Sequence, residues 1–191
     1  MTDIARTRYA RLTSDDRRAA LIDAALACIA EGGIHAFTVD RICARAGVSR
    51  GLVTHHFGSM NALLAAVYAH IYTTSLPPQT NILALIDRLF APALFNRPSL
   101  NTWLTLWAEI SNSPALRAEH QAQYAGYLGM VAGALTASAP GLTDPVPLAR
   151  TLICLIDGLG LQHCIDPASM PAATARQACL DLIAPHLDLG P

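Results

Sequence analysis

The chain has 191 residues, enough for a small unit joined to a larger one. Hydrophobic residues make up 52% and charged residues only 14%, against roughly 25% charged in ordinary domains, so an obligate oligomer is one outlet for the excess apolar surface. The net charge is −1, no run reaches the roughly 18 uninterrupted apolar residues of a membrane span, and the N-terminus lacks the apolar stretch of a secretory signal, so a cytoplasmic protein without a membrane partner is expected.

Arg6, Arg8 and Arg11 open the chain. This arm either lies along a phosphate backbone or minor groove or is a solvated tail. A first helix is expected from Arg17 to Gly32. Ile22, Ala25, Leu26 and Ile29 fall at i, i+3, i+4 and i+7, and Gly32-Gly33 ends the run.

The stretch from Thr38 to Leu64, TVDRICARAGVSRGLVTHHFGSMNALL, carries the sharpest signal. Thr38 stands where an N-cap oxygen is needed, with Asp40 in the first turn. Val39, Ile42, Cys43 and Ala46 make one apolar face. Gly47 follows where a left-handed residue ends a helix, and Ser49 is a suitable N-cap for the next. Leu52, Val53 and Phe57 give that short helix a buried side, which leaves Arg50, Gly51, Thr54 and His55 on the other. This pattern is a helix-turn-helix, whose second helix enters the major groove of double-stranded DNA.

With these residues in view, the stretch resembles the DNA-binding domain of the TetR/AcrR family of bacterial transcription regulators. The resemblance rests on Phe37, Thr38, Val39, Ile42, Ala46, Gly47, Val48, Ser49, Gly51, His55, Phe57, Gly58, Ser59 and Leu63. It implies a three-helix head within residues 1–57, a linking helix over about 60–75, and a second domain over 76–191 for effector binding and dimerisation. The whole is then all-α, with about nine helices. The expected DNA contacts are Thr38, Arg45, Ser49, Arg50, Gly51, Thr54, His55 and Asn61, with Arg50 as the base reader. One departure is Met60, where the family usually has a phosphate-contacting Lys; Asn61 or a backbone amide is the expected substitute. Charge supports the head mildly. Residues 1–57 carry +2 and the rest −3, and every basic residue is an arginine.

Beyond residue 75 the pattern stays helical. Pro77-Pro78 marks a break, and a fifth helix is expected over about 80–95. Ser99 caps a sixth reaching about 112, and Pro114 opens a seventh to about 138. Two more follow over about 147–165 and 171–187, with no alternating strand pattern anywhere. Trp103, Trp107, Ser113-Pro114, Leu116, Tyr124 and the run Leu155 to Leu159 resemble the C-terminal domain of the BetI-type branch, named for repressors of choline-to-betaine genes. That resemblance implies a homodimer. Leu152, Leu155, Gly158, Leu159, Leu180 and Ile183 are the expected interface.

A small-molecule effector needs a concave site with few polar groups. Trp103 and Trp107 lie at i, i+4; His120, Tyr124 and Tyr127 share one helical face; Asp157 is a carboxylate within an apolar helix. Aromatic faces plus a carboxylate suit a quaternary ammonium, while a hydrophobic compound fits an apolar bundle equally. The alternative is that Trp107 and Tyr124 are core and Asp157 caps a helix or pairs with an arginine such as Arg150. Other chemistry finds no support. The five cysteines form no CxxC pair and read as small buried hydrophobes. His55 and His56 point about 100° apart on a helix. No catalytic motif is present, so no cofactor, no metal and no enzyme activity are expected. A regulator released from a palindromic operator by its effector is the leading reading. A helix-turn-helix interaction module that has lost DNA binding and, more remotely, an all-helical enzyme are the alternatives.

Overall fold

Nine α-helices and two short 3-10 turns make up the described residues, 13–75 and 81–187, of the computed structural model. The arginine arm and the Pro77-Pro78 break lie outside them. Helix α1 spans Ser14–Gly32, three residues earlier than the apolar periodicity suggests. Thr13 and Asp16 form a reciprocal capping box there, with amide-to-side-chain bonds of 2.9 and 3.1 Å, satisfying two orphan donors at once. A 3-10 turn, Gly33–Ala36, follows. Thr38 caps α2 (Val39–Ala46), and Gly47 ends it in the left-handed region, φ 66° and ψ 34°, where a Cβ is costly. Helix α3 is Gly51–Phe57 and α4 is Met60–Ser75.

The later boundaries differ more. Helix α5 is only Ile82–Leu89, capped by Asn81. It stops short of residue 95 because Pro92 disfavours helical conformation at Ala91 and cannot donate to the ladder. Helix α6, Arg97–Glu109, is capped by Asn96 instead of Ser99; Pro98 sits in the first turn, where no amide is needed, and Ser99 donates to Asn96. Helix α7 is Pro114–Ser138 with Ser113 as cap. Asp144 caps α8, Pro145–Ile165, so the helix takes in two residues expected in the loop. Helix α9 is Ala172–Ile183, followed by a 3-10 turn, Ala184–His186.

The buried residues form two hydrophobic clusters. The first holds α1 to α4 and also takes Leu106 from α6 and Leu116 from α7, with Trp103, Trp107 and Ile110 packed against it. The second holds α5, the rest of α7, α8 and α9, with Leu100 and Tyr127 against it. Helix α6 is thus shared, its C-terminal turns joined to the head. Tyr68 of α4 is fully buried, and its hydroxyl lies 2.7 Å from Nδ1 of His120 on α7. Burial pushes the Tyr68 phenol up and the His120 imidazole down, so both are neutral and the hydroxyl can donate to the ring nitrogen.

Two segments, 14–36 and α8, have the length and mean hydropathy of a membrane span. Neither is an uninterrupted apolar run: the first is broken by Asp23 and Glu31, and the second by Arg150 and Asp157. The apolar residues of the first are the core of the head.

Candidate nucleic-acid interface and ligand cavity

All eight side chains or backbone positions expected at DNA are exposed: Thr38, Arg45, Ser49, Arg50, Gly51, Thr54, His55 and Asn61. Their positions follow from local rules. Val53 is the buried anchor of α3, with Leu52 and Phe57 packed half-buried against the head core, which turns Thr54 and His55 outward. The Cys43 thiol, pushed up by burial and so protonated, donates to the Ser49 carbonyl at 3.7 Å and fixes the turn between α2 and α3.

Ser49 does not cap α3. Arg50 holds the N-cap place in a helical conformation without a side-chain cap bond. The first turn is tight, with the Leu52 and Val53 amides donating to the Ser49 and Arg50 carbonyls at 3.1 and 3.2 Å. The Leu52 amide is therefore no longer open to the Ser49 hydroxyl. Gly51 faces open space, where an added Cβ would meet nothing within 4 Å. Met60 packs half-buried against the head core, and Ser59 caps α4 by accepting from Ala62 at 3.1 Å. His56 is half-buried between His55 and Phe57, and Arg18 of α1 lies over the Phe57 ring at 5.0 Å.

Two arginines at this surface are already ion-paired. Arg50 pairs with Asp40, and Arg45 reaches both carboxylate oxygens of Glu31 at 2.6 and 2.7 Å. The Arg50 and Asp40 side chains are 72% and 58% exposed. Pairs so exposed are worth only about 0–1 kcal/mol, so a phosphate or a guanine edge can displace either carboxylate.

The second feature is a cavity of about 320 Å3. Trp103, Trp107, Tyr127 and Asp157 line it, together with Tyr72, Ile71, Leu26, Phe95 and Leu100. Tyr72 stands edge-on to Trp103 at 5.1 Å and to Tyr127 at 6.1 Å; Trp103 and Trp107 are 5.8 Å apart. His120 and Tyr124 are not in the lining. They share a helical face with Tyr127, but seven residues of rise carry His120 about 10 Å along α7, to where it meets Tyr68. Tyr72 and the α1 residues were not legible as site residues, although Tyr68 and Tyr72 at i, i+4 in the linking helix are a visible aromatic pair.

Asp157 is half-buried. Burial pushes its carboxyl up to about 6. Arg150 does not pair with it: the arginine ion pairs among the described residues are Arg45–Glu31, Arg50–Asp40 and Arg176–Asp87. An anion thus faces an aromatic cavity with no cation paired to it among the described residues.

The residues expected at a dimer interface divide. Leu152, Leu159 and Ile183 are buried inside the protomer, because α8 and α9 turn their larger aliphatic side chains toward α7 and α5. Leu155 and Leu180 are half-buried and Gly158 is exposed. Along α8, Cys154, Gly158, Leu161 and Ile165 form an exposed stripe, with Leu161 at 41% and Ile165 at 68%. Cys28, Cys43 and Cys179 are buried as expected, whereas Cys154 is on this stripe.

Residues 21–67 match the family model of bacterial regulatory proteins, tetR family, and residues 78–188 match that of the BetI-type transcriptional repressor, C-terminal. The chain is 32% identical to the HTH-type transcriptional regulator BetI 2 of Chromohalobacter salexigens, over 84% of this chain and 83% of that one. A transcriptional regulator from Pseudomonas aeruginosa PAO1 superposes with a TM-score of 0.78 at 28% identity, covering 94% of both chains. A transcriptional regulator from Saccharomonospora viridis, solved in complex with choline, superposes with a TM-score of 0.72 at 23% identity, covering 91% of this chain and 98% of that one.

Proposed function

The chain belongs to the TetR family of bacterial regulatory proteins, with a BetI-type C-terminal domain, and from that premise we propose that its effector is a small organic cation, quaternary ammonium above all, bound in the cavity beside Asp157. As a member it is a ligand-responsive, DNA-binding transcriptional regulator and not an enzyme. One observation carries the choice of ligand. Among the described residues no cation pairs with Asp157, whose carboxylate lines the same cavity as Tyr72, Trp103, Trp107 and Tyr127. Aromatic faces attract cations by about 0.5–2 kcal/mol each, and the carboxylate supplies the countercharge.

In this reading a cytoplasmic homodimer pairs the exposed stripe of α8, with α9, against its two-fold mate. Gly158 lets the helices approach closely. Each head places α3 in one of two successive major grooves of a pseudo-palindromic operator, about 34–36 Å apart. Thr38, Ser49, Thr54, His55 and Asn61 hold phosphates, Gly51 admits the backbone, and Arg50 exchanges Asp40 for a base. Effector binding favours a head spacing that no longer fits, which relieves repression by population shift.

Trp103 and Trp107 are the only two tryptophans and both line the cavity, so intrinsic emission reports occupancy. Emission should respond to choline and tetramethylammonium and not to 3,3-dimethylbutanol, the neutral isostere of choline. The same cations should release a duplex taken from upstream of the coding region. Equal response to the neutral isostere would replace the cation with a hydrophobic compound as effector.

A further inference from the structure

The cavity does not lie inside one domain. It lies on the seam between the two hydrophobic clusters. Tyr72 of α4 and Trp103 and Trp107 of α6 pack with the head. Tyr127 of α7 and Ile156 of α8 pack with the other cluster, and Asp157 projects into the cavity between them. Two more lining residues, Leu26 and Ala30, belong to α1, the first helix of the DNA-binding head, one turn apart on one face.

We infer that the bound effector touches the DNA-binding head directly, through Leu26 and Ala30 of α1, and that the head and the C-terminal turns of α6 move as one body against α8 and α9. This rests on reading the cavity as the effector site. A cation in it has its countercharge on α8 and aromatic walls from both clusters, Tyr72, Trp103 and Trp107 on the head side and Tyr127 on the other, so occupancy sets the distance between the two clusters. The route onward is short. Helix α1 packs along α2 and α4 in one core, and in the absence of DNA Glu31, the residue after Ala30, also pairs with Arg45 of α2 through both carboxylate oxygens. Displacement at Ala30 therefore reaches the helix-turn-helix without passing along the linking helix.

Ala30 offers a test that needs no effector, because a longer side chain there enters the cavity from the head side. Wild type and A30M are passed over a library of duplexes with randomised 30-base-pair centres, and the enriched duplex is titrated by anisotropy. Tryptophan emission, far-UV circular dichroism and low-salt affinity for a scrambled duplex are recorded alongside. The expected result is that A30M shifts the emission and keeps helical content and scrambled-duplex affinity. It should bind the enriched duplex roughly tenfold more weakly, or worse, than wild type does. A30M with shifted emission and wild-type affinity for the enriched duplex would overturn the inference. So would an unshifted emission, or loss of scrambled-duplex affinity in step with specific affinity, which marks a damaged head. If A30M does not fold, A30V is read by the same criteria. Wild type enriching no duplex would sink the DNA-binding reading itself, and the inference with it. An emission unresponsive to cations would sink only the choice of effector, since the A30M result is read without ligand.

Discussion

Asp157 is the residue on which the chemistry turns. Burial raises its carboxyl from 3.8 to about 6, so the folded state holds a proton more tightly than the unfolded chain. The resulting instability is absent below about pH 4, grows between 4 and 6, and is fully present above 6. D157N should therefore stabilise the ligand-free protein by about 1–3 kcal/mol at pH 7.5, and the gain should shrink as the pH falls through 6, as urea melts at several pH values would show. The same substitution should weaken cation binding roughly tenfold or more. Wild-type cation affinity should itself be full above pH 6 and fall below it, when measured by tryptophan emission. The sequence shows an acid in an apolar helix, which is why Asp157 could be singled out. It does not show that Arg150 points away, because i and i+7 on a helix are close enough in register to suggest a pair that the exposed arginine does not make.

At the scale of the element, the helix-turn-helix is the part most fully written in local chemistry. Thr38, Gly47 and the apolar spacing of α2 act within a few residues of themselves, and the structure returns each where expected. Gly47 has φ 66°, so G47A should cost about 1–2 kcal/mol and tilt α3 against α2. Thermal melts should show the loss, and duplex binding should fall further than stability alone explains. Errors arise where two local signals compete. Asn96 and Ser99 both suit an N-cap of α6, and Pro98 in the first turn decides for Asn96. Asp144 with Pro145 likewise starts α8 earlier than Pro147 alone suggests. Ser49 has the right chemistry for a cap, yet the tight first turn of α3 uses the Leu52 amide that its hydroxyl would need.

For the whole molecule, the exposed stripe of α8 is the surface that a single copy leaves uncovered. Leu161 and Ile165 are among the few large apolar side chains exposed on the described residues. The double variant L161R/I165R should keep its helical content and raise the dimer dissociation constant roughly a hundredfold or more, as light scattering coupled to size exclusion would show. On the proposed reading of two heads on one pseudo-palindromic operator, specific duplex binding should fall with it. Retention of the dimer would move the interface off this stripe. Leu152, Leu159 and Ile183 are poor targets for this purpose, since arginine there would disrupt the protomer's own core.

The all-α class and the outward face of α3 were determined by the sequence alone, because caps, left-handed glycines and 3.6-residue periodicity act over short spans; the family was legible only by resemblance, through the residues from Phe37 to Leu63. The tertiary structure decided which apolar residues face inward within one copy, and that α6 packs with the head. It also decided that the cavity opens on the seam beside α1. Those outcomes depend on which helices come to lie against one another. Leu26 and Asp157, 131 positions apart, become neighbours in one cavity only when two clusters close around it, and no local pattern records that meeting.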